Sequence, residues 1–173
     1  MERLGEPSAA DVLRYRAIPV LIAMTAALIL RTCFFDVNIV RGSSMQGALW
    51  DGDVVVARTF GLSDIGRGDI VTLRAAGGTG FIVKRVIGLP GETVSLDGDG
   101  IIYIDGERLP DEYQYETPGL RLAYPDVELG DDEIYVMGDN RMDSYDSRYF
   151  GPVKLSSVRD VAVMRVRPFE IYR

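Results

Sequence analysis

Residues 81–92 read FIVKRVIGLPGE. Phe81 to Ile87 is apolar except for Lys84 and Arg85, and Gly88-Leu89-Pro90-Gly91 ends the run. Val and Ile in a short segment bounded by turn residues predict a β-strand. A period of two places Ile82, Lys84 and Val86 on one face and Val83, Arg85 and Ile87 on the other. Lys84 then has two readings. On an edge strand, a lysine snorkels to water and discourages pairing with other chains. Buried among aliphatics, its ammonium is penalised and its pKa falls from ~10.4 by several units. In that second state it accepts a proton near neutral pH.

The same pattern extends outward. DVVVAR (53–58), DIVTL (69–73), TVSL (93–96), IIYID (101–105), EIYVMG (133–138) and VAVMRVRP (161–168) are short, β-rich and separated by Gly, Asp and Pro. The fold class this predicts is mainly β, an antiparallel sheet of barrel-like or sandwich form. About 93–130 is rich in Asp, Glu, Gly and Pro and reads as a small inserted hairpin and loop subdomain.

The amino-terminal end differs. Residues 1–16 are polar and end in Arg14-Tyr15-Arg16, and the run AIPVLIAMTAALIL follows from Ala17 to Leu30. That run is short of the ~20 residues a membrane span needs. Extended past Arg31 through Phe35 it is long enough, with Arg31 snorkelling. The readings are a transmembrane anchor over 17–35, a signal peptide, or a buried core helix. Length and flanking charge favour the anchor. Arg14 and Arg16 place the tail 1–16 in the cytoplasm and residues 36–173 outside the cell membrane.

Composition limits the chemistry. The 173 residues carry no histidine, one cysteine (Cys33) and a net charge of −7. The acidic balance argues against nucleic-acid binding. Without histidine there is no Ser-His-Asp triad and almost no way to build a zinc site. A reactive serine then needs another activator: a lysine, a carboxylate or an N-terminal amine. Arginine keeps its proton, and the only lysines are Lys84 and Lys154.

RGSSMQGALW (41–50) offers Ser43 and Ser44, and GDNRMDSYDSRYFG (138–151) is dense in Asp, Asn, Ser and Arg. Each is first of all a turn or loop signal. The second could also set a hydroxyl against a lysine nitrogen while Asp-Arg pairs brace it. Arg67-Gly68-Asp69 reads as a turn entering a strand, and DGDG (97–100) as a hairpin turn, since Ile101 stands where a calcium ligand belongs. GGTG (77–80) lacks the ending of a phosphate loop and reads as another turn.

Taken together, the apolar anchor, Ser-Met followed by Leu, GDVV, GDIV, KRVIGLPGE (84–92) and GDNRMDSYDSR (138–148) resemble type I signal peptidase, a membrane-bound Ser-Lys endopeptidase family. The resemblance runs from about Arg31 to Phe150. It implies Ser44 as nucleophile, Lys84 as general base and Ser144 as the residue that orients the lysine amine. It implies an oxyanion site of backbone groups at Ser44 and Gly42. The implied substrate pocket is walled by Val40, Met45, Leu49, Ile82 and Val83. Asp146 and Arg148 match a structural ion pair, and Asp139, Asn140 and Arg141 match bracing residues of the loop.

The implied substrates are preproteins whose signal peptides end in Ala-X-Ala-like sites, met at the lipid bilayer near the secretion machinery. No metal and no cofactor are implied. Ser44 is nine residues after Phe35, at most ~30 Å extended, so the site stays near the bilayer face. Gly47-Ala48 departs from the family's usual Pro-Thr, which predicts an altered turn after the nucleophile. Alternative readings are a relative dedicated to one substrate and a non-catalytic, membrane-anchored β module that binds peptides.

Overall fold

The computed structural model describes residues 13–74, 80–110, 124–166 and 170–171. Most of the amino-terminal tail, residues 77–79 of the GGTG turn, the 111–123 part of the inserted region and the end of the last predicted strand lie outside them. The chain divides into two compact units, residues 1–35 and 36–173.

In the first unit, a π-helical turn (Leu13–Ala17) runs into α1 (Ile18–Phe34). Pro19 sits in the first turn of α1, where proline is best tolerated. The Thr25 and Thr32 hydroxyls donate to Leu21 O at 2.8 Å and Leu28 O at 2.9 Å, so the helix satisfies its own polar groups. Leu13–Phe34 makes 22 residues, long and apolar enough to cross a bilayer. At 1.5 Å per residue that is about 33 Å, against a hydrocarbon core of about 30 Å. Its described side chains are exposed.

Among the described residues, the rest is mainly antiparallel β. In order come β1 (Phe35–Ile39), β2 (Val54–Arg58), β3 (Ile70–Arg74), β4 (Phe81–Gly88), β5 (Thr93–Leu96), β6 (Ile102–Ile104), β7 (Glu107–Arg108) and β8 (Tyr124–Glu128). β9 (Glu133–Met137), the single helical turn α2 (Ser147–Phe150), β10 (Val153–Lys154), β11 (Val158–Arg165) and β12 (Glu170–Ile171) complete it. The main sheet runs β1-β2-β11-β3-β4-β9-β10, with β12 added to β11. The inserted region forms its own sheet, β7-β6-β5-β8.

Three apolar clusters hold this unit. Val94, Leu96, Ile102 and Leu129 of the inserted region pack on Ile87, Tyr135 and Met137 of the main sheet. Val71, Leu73, Val86, Val136 and Val161 fill the centre of the main sheet. Val40, Met45, Leu49, Val55 and Ile70 pack beneath the 41–50 turn. Gly88 lets the two sheets meet: a Cβ there would lie 2.5 Å from Val94 Cγ2 and 2.7 Å from Leu129 Cδ1. The ladder between β4 and β9 shifts register at the same point, between Val86 and Gly88.

The alternation read on β4 matches the packing. Ile82 and Val86 join the central cluster, while Ile87 and Val83 join the other two. Lys84 lies inside this apolar frame, 3% exposed. The snorkelling reading therefore falls.

The turn readings stand. Arg67 is paired with Glu92 at 2.6 Å, and Asp69 accepts from Gly66 N at 3.0 Å, closing its own turn. Asp97 likewise accepts from Asp99 N and Ile101 N, the closure of a hairpin turn.

Candidate active site

The site is assembled by four pieces of the β unit. β4 supplies Lys84, the 41–50 turn supplies the serines, and the 138–148 loop braces both. β1 and the start of β4 flank a cleft of about 220 Å³ that reaches Ser44 and Lys84.

Lys84 Nζ lies 2.8 Å from Ser44 Oγ and 3.0 Å from Val83 O. Burial is the main influence on the ammonium and lowers its pKa from 10.5 to about 8. The Asp146 carboxylate pulls the other way, and Arg148 again lowers it. Near pH 8 the amine is therefore neutral in a large share of molecules, and a neutral amine in contact with a hydroxyl can take its proton. Ser43 faces elsewhere: its hydroxyl donates to Asp143 Oδ2.

The loop grips the serine turn through its backbone. Asn140 N donates to Ser44 O at 3.1 Å, and Asn140 Nδ2 donates to Ser43 O at 3.2 Å and Gln46 Oε1 at 3.1 Å. Gly138 passes so close that a Cβ would lie 2.3 Å from Ser144 Oγ and 2.4 Å from Ser44 O. Arg141 Nε donates to Gly138 O at 2.9 Å, pinning the same bend.

Two buried ion pairs fix the loop. Arg148 and Asp146 pair at 2.8 Å with both side chains fully buried, and Asp146 also accepts from Gly138 N at 2.9 Å. Arg85, beside the lysine, grips Asp139 with two bonds of 2.8 and 2.6 Å. Sequence reasoning missed Arg85 as a site residue. The signal was present: an arginine on an otherwise aliphatic strand must find a carboxylate if it is buried.

Three expectations need correction. The Ser144 hydroxyl donates to Asp146 Oδ2 at 2.7 Å and makes no hydrogen bond with Lys84, so it braces the ion pair. Asp146 offers a charged acceptor, which wins over an amine. The Gly42 N–H is occupied by Asp51 Oδ1 at 2.8 Å, and what Gly42 contributes is a left-handed bend at φ +92°. Ser44 N–H has no acceptor among the described residues and remains the available donor. Leu49 is fully buried and does not line the cleft; it backs Met45, while Val40, Met45, Ile82 and Val83 do line it.

The departure at Gly47-Ala48 also has a shape. Gly47 sits at φ +107°, a conformation closed to proline, whose ring holds φ near −65°. The Ala48 carbonyl is held by Arg165 Nη1 at 2.5 Å. Among the described residues no cluster of His, Cys, Asp or Glu is arranged to hold a metal ion.

Comparison with known proteins gives this geometry a context. Residues 13–167 match the family described as signal peptidase, peptidase S26. The probable signal peptidase I-1 of Synechocystis sp. is 36% identical over 163 residues, covering 87% of this chain and 81% of its own. Signal peptidase I P of Bacillus subtilis subsp. natto is 34% identical over 139 residues, 75% of each chain. A solved signal peptidase I from Enterococcus faecalis V583 aligns with 57% of this chain and 96% of its own, at 32% identity and a TM-score of 0.48. By the extent of these matches, this chain belongs to the signal peptidase, peptidase S26 family.

Proposed function

We propose that this protein is a membrane-anchored serine endopeptidase that removes signal peptides from exported preproteins, with Ser44 as nucleophile and Lys84 as general base. The observation that carries the reading is the 2.8 Å approach of a buried lysine amine to Ser44 Oγ. Membership of the family supplies the substrate class.

The reaction follows from the groups present. Neutral Lys84 takes the Ser44 proton as Oγ attacks the scissile carbonyl carbon. The resulting oxyanion is met by the Ser44 N–H. The lysinium then protonates the departing amine, and the C–N bond breaks to leave an ester on Ser44. Water, deprotonated by the same lysine, attacks that ester. The carboxylate product leaves and the proton returns to Ser44.

The signal peptide lies extended between residues 36–42 and 81–84, adding a strand to the open edge. Val40, Met45, Ile82 and Val83 form shallow apolar walls, which suit Ala-X-Ala-like ends. The Arg14 and Arg16 flank supports a cytoplasmic tail and a catalytic unit on the outer face. There the tethered enzyme meets a substrate held in the same bilayer, near the secretion machinery, at raised effective concentration.

The test is processing of a preprotein by the detergent-solubilised full chain. Wild type is expected to release the mature protein, and Ser44→Ala and Lys84→Ala to release none. Full activity in Ser44→Ala would sink the assignment.

A further inference from the structure

At the end of the cleft away from the dyad lies a polar group that the reaction does not use. Asp160 of β11 is fully buried. Asn38 Nδ2 donates to both of its carboxylate oxygens at 3.2 Å. Thr72 stands directly opposite it across the β11–β3 ladder, and the Thr72 hydroxyl favours its charged form as a donor. Asp36 and Arg159 are also nearby: Arg159 Nε is 3.7 Å from Asp160 Oδ2, and Arg159 forms an ion pair with Asp36. Burial raises the carboxyl, and these donors and the guanidinium oppose that rise.

Asn38 and Thr72, unlike Asp160, line the cleft. Asn38 donates to the carboxylate behind it and keeps Oδ1, which accepts from no donor among the described residues; Thr72 adds a hydroxyl. The cleft end therefore presents an unmet acceptor and a hydroxyl. A donor brought there by a substrate gains a partner. An apolar group leaves the Asn38 oxygen dry and unpaired, which is the costly case.

The position in the substrate follows from strand geometry. Val40 and Asn38 are two residues apart on one face of the edge segment, and Val83, opposite Thr72, shares that face across β3 and β4. An extended peptide whose first side chain before the cut sits by Val40 and Ser44 places its third beside Asn38 and Thr72. Phe81 and Arg159, stacked at 4.7 Å, close that end and limit the size.

We propose that the cleft end formed by Asn38 and Thr72 over buried Asp160 is a specificity subsite for a small hydroxyl side chain, serine or threonine, at the third position before the cut. The inference rests on the proteolytic reading above.

The test uses three peptides that differ only at that position, carrying Ala, Thr or Val, with the full-length protein in detergent. Thr and Val have nearly the same shape, so their ratio isolates the hydroxyl. Thr is expected to exceed Val in kcat/KM by about tenfold, the worth of one hydrogen bond to a site otherwise left unpaired. In Asn38→Leu the ratio is expected to fall toward one. Thr72→Val, isosteric at the neighbouring hydroxyl, gives the same readout should Asn38→Leu fail to fold. Cleavage of Ala with equal rates for Thr and Val overturns the subsite alone, as does an unchanged ratio in the variants. No cleavage of any peptide by wild type overturns the peptidase reading and the subsite with it.

Discussion

Lys84 carries a cost that its proposed role as base requires. Its pKa is about 8 in the fold against 10.5 unfolded, and burial is the cause. The unfolded chain therefore binds more protons between those values, so stability rises as pH increases through that window. Below about pH 8 the folded chain must hold a buried cation, at a cost of about 3 kcal/mol. Lys84→Met is expected to melt higher than wild type at pH 7, with the gap closing toward pH 10.5, while cleavage is lost. Calorimetry over that range checks it. Activity is expected to fall as pH drops below about 8, because the protonated amine cannot accept from Ser44; a kcat/KM profile from pH 5 to 9 reads this directly. Lys84 was legible in the sequence because only two lysines and no histidine compete for the role. The partner of Ser144 was not, since Lys84 and Asp146 both lie within a serine's plausible reach and only the folded loop selects the carboxylate.

At the level of elements, the strands announced themselves by Val, Ile and Tyr between turn residues. Those that escaped are short or atypical. β7, β10 and β12 have two residues each, and β8, YPDVE, contains a proline and two acids. β1 follows the apolar helix without a break, so its FDVNI pattern merges with the segment before it. The 41–50 turn is where a family pattern misleads. Gly47→Pro would look like a repair, yet φ +107° excludes it. It is expected to destabilise by about 1–3 kcal/mol and to reduce cleavage, because the strain falls three residues from Ser44. Thermal melts with parallel rate measurements would show both. Arg85→Lys is expected to cost about 3–5 kcal/mol, since one ammonium cannot reproduce two bonds to buried Asp139. Chemical denaturation measures that loss.

Over the whole molecule, every residue of the dyad, the brace and the cleft belongs to the unit from Asp36 onward. A chain lacking residues 1–34 is expected to cleave short soluble peptides at rates within a few-fold of the full protein. It is expected to lose most of its advantage on a preprotein in liposomes, where the tether raises effective concentration. Equal loss on both substrates would assign the helix a part in building the site. The two-unit plan was visible as the switch from an apolar run to β-patterned segments. The pairing order of the strands was not, because an antiparallel sheet gives one strand no label for its neighbour.

The brace spans a long stretch of chain. Lys84 is 40 residues from Ser44, and Asp143 is 100 residues from Ser43. A ribosome that has made the serine turn and the lysine strand has not yet made the loop that holds them. Translation therefore delivers the two partners of the lysine–serine contact before the loop that braces them, so the brace forms only after the last third of the chain has been made and folded back.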